Sequence, residues 1–187
     1  MKRIASDPHR LLGIYLNDHL TGAGSGISLL KRLARAHRDS DAGPRLALLI
    51  EEVTEDRDSL REIMTSLDVP VNHVRGLLGV AAAQAGRLKG NGRILTRSPL
   101  SDVLELEAIR MGVEGKKELW RTLHTLAHTE PRLDAEAMAR LLARAERQAG
   151  ALESLRLAAV DRALRGVSPQ VPAAPHRSRR AARAGWA

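Results

Sequence analysis

Few residues in this chain have both the type and the spacing to do chemistry, and most of them are histidines and glycines. His124-x-x-x-His128 puts two imidazoles on one face of a helix, a spacing that can open a zinc site. The same spacing arises wherever a helix surface uses histidine, and that reading is preferred. His19, next to Asp18, falls on the inward stripe of a helical segment, where an imidazole hydrogen-bonded to a neighbour is expected. With His73, His124 and His128 it could form a histidine cluster at one pole of the fold. Gly22-Ala23-Gly24-Ser25-Gly26 has the look of a phosphate loop, but no strand precedes it and helical periodicity runs through it. These small residues are expected instead to let another helix approach closely. Lys89-Gly90-Asn91-Gly92-Arg93 could cradle an anion, although a turn between helices needs the same glycines.

Composition removes several classes of function. The 187 residues include no cysteine, which excludes disulfides, thiolate metal sites and thiol nucleophiles. Tyr15, Trp120 and Trp186 are the only aromatics among Phe, Tyr and Trp, too few for a platform that stacks single-stranded nucleic acid. Trp120 sits beside Leu119 and Leu123, where core or interface burial is expected. The net charge of +8 is unevenly spread. Arg177, Arg179, Arg180 and Arg183 lie in residues 168–187 with no acid among them, so half of the excess sits in the tail. The opening stretch carries charge and a proline where a signal peptide needs an apolar run, and no run of about 18 apolar residues follows. The expected location is cytoplasmic, with no membrane contact.

The elements that must position these groups are helices. Apolar residues recur at helical spacing, and no run shows strand alternation. Asp7 and Pro8 open a first helix that runs to about His37, and the breaker-rich segment 39–44 turns the chain. The second helix, 44–67, presents Leu46, Leu49, Val53, Leu60, Ile63 and Leu67 inward. A shorter helix is expected over 71–88, ended by Gly90 and Gly92. Ser98-Pro99 begins a third long helix to about His128, and Asp134 caps a last one to about Leu164. Residues 1–167 thus read as one helical-bundle domain, and 168–187 as a disordered basic tail able to touch nucleic acid or another acidic surface weakly. Because the 71–88 segment is long enough to return the chain to its starting pole, the second and third long helices are expected to run parallel.

That layout of two long hairpins and a crossover, together with the segments Tyr15-Leu16-Asn17-Asp18-His19-Leu20-Thr21-Gly22-Ala23, Glu51-Glu52-Val53-Thr54-Glu55-Asp56 and 145–156, resembles actinobacterial helical-bundle proteins of the ferritin-like superfamily. The resemblance implies an all-α, ferritin-like four-helix bundle. It also raises a di-metal centre, which in such bundles uses a Glu from each of two helices and a Glu-x-x-His from each of the others. No Glu-x-x-His occurs in this chain, and Arg110 and Arg156 follow Glu107 and Glu153 at the third position. Reflecting the second hairpin about its turn and aligning the start points of the second and third helices places Glu52, Glu55, Glu107 and Glu153 in one layer. Two readings follow from the resemblance. The preferred one is a degenerate, metal-free and non-enzymatic bundle that works by self-association or by binding a protein partner, with no cofactor. The other is a carboxylate-rich iron or manganese protein of oxidase or ferroxidase type that uses those four glutamates.

Overall fold

The computed structural model describes residues 7–72 and 98–165, and all regular structure among them is helical. Four long helices are present: α1 (Pro8–Ala36), α2 (Gly43–Ser66), α3 (Pro99–Leu126) and α4 (Ala135–Leu164). Local chemistry sets their ends. Asp7 accepts a hydrogen bond from the His9 amide, Ser98 from Leu100, and Asp134 from Glu136 and Ala137, so three helices begin on a side-chain cap. Helix α2 has no side-chain cap but carries Pro44 in its first turn. In the α1–α2 turn, a Cβ on Gly43 would lie 2.8 Å from the Arg38 carbonyl oxygen, so the turn closes only around glycine.

Residue pairs fix the directions of the helices. Tyr15 Oη meets Thr122 Oγ1 at 3.4 Å, Arg32 meets Glu105 at 2.8 Å and His37 meets Asp102 at 2.9 Å, so α1 and α3 are antiparallel neighbours. Arg45 donates to the Ala151 carbonyl at 3.5 Å while Arg144 holds Glu55, so α2 and α4 are antiparallel neighbours as well. With each hairpin antiparallel within itself, α2 and α3 run in the same direction across the bundle. Asn72 therefore lies at one pole and Ser98 at the other. Of the expected 71–88 helix only Val71 and Asn72 are among the described residues, and they are not helical; the rest of it and the tail 168–187 lie outside them.

One apolar core runs the length of the bundle, including Leu16, Leu30, Leu46, Met64, Trp120, Leu123 and Leu152, each at most 1% exposed. Burial of these side chains rather than helix propensity holds such long helices together. At the pole near residue 70, buried Asn17 joins the end of α2 to α1. Its Nδ2 donates to the Gly13 carbonyl at 2.8 Å and to the Pro70 carbonyl at 3.1 Å, and its Oδ1 accepts from the Asn72 amide at 2.7 Å.

Candidate functional site

Midway along the bundle the apolar stripes of α2, α3 and α4 are each interrupted by a polar residue. Asp56 follows Val53 and precedes Leu60, Lys116 lies between Val113 and Trp120, and Gln148 lies between Ala145 and Leu152. Asp56 and Gln148 are 1% exposed, and the Lys116 side chain is 12% exposed. The three meet: Lys116 Nζ donates to Asp56 Oδ2 and to Gln148 Oε1, and Gln148 Nε2 donates to the same Asp56 oxygen at 3.1 Å. Arg144, from α4, donates through Nε to Asp56 Oδ1 at 2.7 Å and through Nη1 to Glu55 at 2.7 Å. Both oxygens of the buried carboxylate are thus occupied by cationic donors, as an uncompensated buried charge would demand. Burial lowers the Lys116 pKa below its usual 10.5, opposed by the Asp56 carboxylate and, more weakly, by Glu52.

The four glutamates singled out from the sequence divide into two groups. Glu55 pairs with Arg144 beside the buried layer, and Glu52 lies close enough to act on the Lys116 charge. Glu107 and Glu153 sit elsewhere, on the α3–α4 surface, 45% and 32% exposed. There Arg156 holds Glu153 at 2.7 Å and reaches Glu107 at 3.7 Å, while Arg110 Nε stands 3.5 Å from Glu153 without hydrogen-bond geometry. Hydrogen bonding from Arg156 holds the Glu153 carboxyl below its ordinary range. Reflection of the second hairpin paired Glu107 and Glu153 correctly. Alignment by helix start points did not place α2 correctly, because α3 begins about one turn before α2 and Lys116 faces Asp56, an offset of 60 residues rather than 55. Among the described residues no group of three His, Asp or Glu side chains could hold a metal ion.

Among the described residues the histidines do not assemble into a metal site. His124 and His128 contact each other edge to face, with ring centroids 5.8 Å apart; His73 lies outside the described residues. His19 packs edge-on against Tyr15, 4.6 Å between centroids, and burial lowers its pKa below 6.5 against the opposing charge of Asp18. It is half-buried, as its place on the inward stripe implies. It lines a cleft between α1 and α3 that is floored by Val53, Asp56 and Leu60 of α2.

That cleft has a volume of about 390 Å³. Its walls carry Gly22, Ala23 and Gly26 from α1 and Ala108, Gly112 and Gly115 from α3, with Asp56 and Lys116 also among its lining residues. The small residues were expected to admit a neighbouring helix closely, and here they do the opposite. A Cβ on Gly22, Gly26, Gly112 or Gly115 would meet nothing within 4 Å. The glycines leave the space beside them open, and Leu119 and Trp120 line the same cleft. Trp120, 0% exposed, also lines this cleft, and its indole Nε1 has no hydrogen-bond partner among the described residues.

Comparison of the chain with protein-family models, with curated proteins and with solved structures yields no match. The site must therefore be read from its own chemistry. No helix among the described residues is long and apolar enough to cross a membrane.

Proposed function

We propose that this chain is a metal-free bundle of ferritin-like layout that acts by binding rather than by catalysis. The observation that carries this reading is the position of Lys116. Its ammonium group lies between helices where a carboxylate-rich bundle would hold a cation, and it already supplies positive charge to Asp56. Arg144 supplies a second cationic partner to the same carboxylate. A divalent ion would have to displace one of these side chains or sit beside them against charge repulsion. With both Asp56 oxygens engaged, that carboxylate offers no open ligand position.

Metal analysis of the full chain, purified without chelator from cells grown with added iron or manganese, tests this reading. The expected result is substoichiometric metal. One or two ions per chain, lost in Glu52→Ala or Glu107→Ala, would establish the oxidase or ferroxidase alternative instead.

The partner in this reading is a second copy of the chain. Leu100, Leu104 and Met111 are 40%, 46% and 69% exposed and recur at i, i+4 and i+11 on one face of α3. Glu107 lies within that stripe and Arg110 borders it, so a twofold arrangement sets opposite charges across a self-complementary contact. Light scattering should give a dimer, and Leu104→Glu should return it to a monomer. A wild-type chain that stays monomeric at high micromolar concentration would remove self-association from the reading.

A further inference from the structure

We infer that the α1–α3 cleft is a binding site for an uncharged, mainly apolar small molecule that presents one carbonyl oxygen to the indole N–H of Trp120. Three independent observations carry this. First, the space is real and costly to keep. Glycine within a helix weakens it relative to alanine, yet Gly22, Gly26, Gly112 and Gly115 gain no packing contact in return, because a Cβ at any of them would meet nothing within 4 Å. The resulting volume of about 390 Å³ falls within the range of small-molecule sites, about 300–1,000 Å³.

Second, one of the residues that line the cleft holds an unanswered donor. Trp120 is fully buried, lines the cleft and leaves Nε1 without a partner. Buried indole N–H groups usually find an acceptor, and an acceptor entering the cleft would supply it.

Third, the cations around the cleft already have partners. Lys116 is bound to Asp56, and Arg57 is bound to Asp58 at 2.7 Å. Burial favours the neutral form of the His19 imidazole. An anionic ligand would find no cation without a partner of its own and would meet the exposed Asp18 carboxylate, and a cationic one would face Lys116. A neutral ligand satisfies the indole and disturbs neither pair. Leu29, Leu60, Ile109 and Val113 supply its apolar surroundings.

The test uses the full chain carrying Trp186→Phe, which leaves Trp120 as the one tryptophan. Two neutral lipophilic probes are titrated: Nile red, which has a carbonyl group, and N-phenyl-1-naphthylamine, which has none. Nile red should bind saturably at one site per chain and alter Trp120 emission. The double variant Gly22→Leu/Gly112→Leu should bind both probes at least tenfold more weakly while still melting cooperatively. If it does not melt cooperatively, Gly112→Met places one unbranched side chain in the same space and should give the same loss. Trp120→Phe should weaken Nile red by about five- to tenfold and leave N-phenyl-1-naphthylamine within twofold. Absence of saturable Nile red binding to the wild-type chain would overturn the inference. So would unchanged binding once the cleft is filled, or equal weakening of both probes by Trp120→Phe. None of these readouts depends on metal content, so the cleft and the metal-free reading can fail separately.

Discussion

Replacing Asp56 with asparagine keeps the shape of the buried layer and removes its negative charge. Lys116 would then hold an ammonium against a neutral amide, with only the Gln148 Oε1 contact and the field of Glu52 left in its support. Breaking a buried ion pair by deleting one partner costs about 3–5 kcal/mol. Arg144 is 21% exposed and already bonded to Glu55, so it can turn outward. The lower end, about 3 kcal/mol, is therefore expected. In a domain of this size that is a fall in Tm of about 10 °C. Urea denaturation followed by circular dichroism measures the loss directly.

The pH dependence supplies a second check. Because burial lowers the Lys116 pKa below 10.5, the unfolded chain binds more protons than the folded one just below pH 10.5, and stability rises with pH across that window. Removing the Asp56 charge lowers the folded pKa further and widens the window. The cost of Asp56→Asn should then shrink between pH 7 and pH 10. The double replacement Asp56→Leu/Lys116→Met removes both charges together and should be neutral or stabilising by about 1–4 kcal/mol. A loss below about 1 kcal/mol for Asp56→Asn, or one that is constant with pH, would refute the claim that these charges sustain each other.

Other expectations concern the surroundings of this layer. Asn17→Leu removes one donated and one accepted hydrogen bond that join α1 to the chain after α2, together with a bond to Gly13 within α1, and should cost about 2–3 kcal/mol in the same urea assay. Gly22→Ala and Gly112→Ala enter open space and should each stabilise the chain by about 0.5–1 kcal/mol, read as a higher Tm. Glu107→Ala removes a partly exposed carboxylate 3.7 Å from Arg156, and its effect should stay within about 0.5 kcal/mol. Hydrogen bonds from Arg132 lower the Glu130 pKa to about 2, so the stabilisation from this pairing is present above the ordinary glutamate range and is lost as pH falls through about 2. Carbon-detected NMR titration should show that midpoint, and Arg132→Ala should return it toward 4.5.

Local signals made the helices legible. Asp7, Ser98 and Asp134 cap three of them where their side chains precede apolar periodicity, and the breaker-rich segment 39–44 turns the first hairpin. The polar layer had a signal as well: Asp56, Lys116 and Gln148 stand at positions where the helical stripe calls for an apolar residue. Alignment by helix starts groups Glu52, Glu55, Glu107 and Glu153 instead, because it cannot detect that α3 overhangs α2. The cleft was illegible for a different reason. A run of small residues fits both a close helix contact and a gap, and the distance between axes that separates them is set by large side chains elsewhere along the helices.

The buried polar layer and the cleft occupy the same stretch of the bundle, and each bears on how α1 is held. Asp56, Lys116, Gln148 and Arg144 lock α2, α3 and α4 together and fix their register, but α1 contributes no member to that network. Its middle turns supply Gly22, Ala23 and Gly26 to the cleft wall instead. The fastenings of α1 lie to either side of the cleft glycines. At one pole Asn17 and His9 bond to the chain around Leu67 and Pro70; toward the other, Arg32 and His37 pair with Glu105 and Asp102. A helix anchored on both sides of an unfilled centre can keep a gap of constant width without direct packing there, which is the mechanical condition for a preformed cleft. Filling that space with alanine adds helix stability at the thinnest part of α1 and leaves both anchors untouched. Stability gained there at the expense of probe affinity would be the trade expected of a site kept open against the folding interest of the helix that walls it.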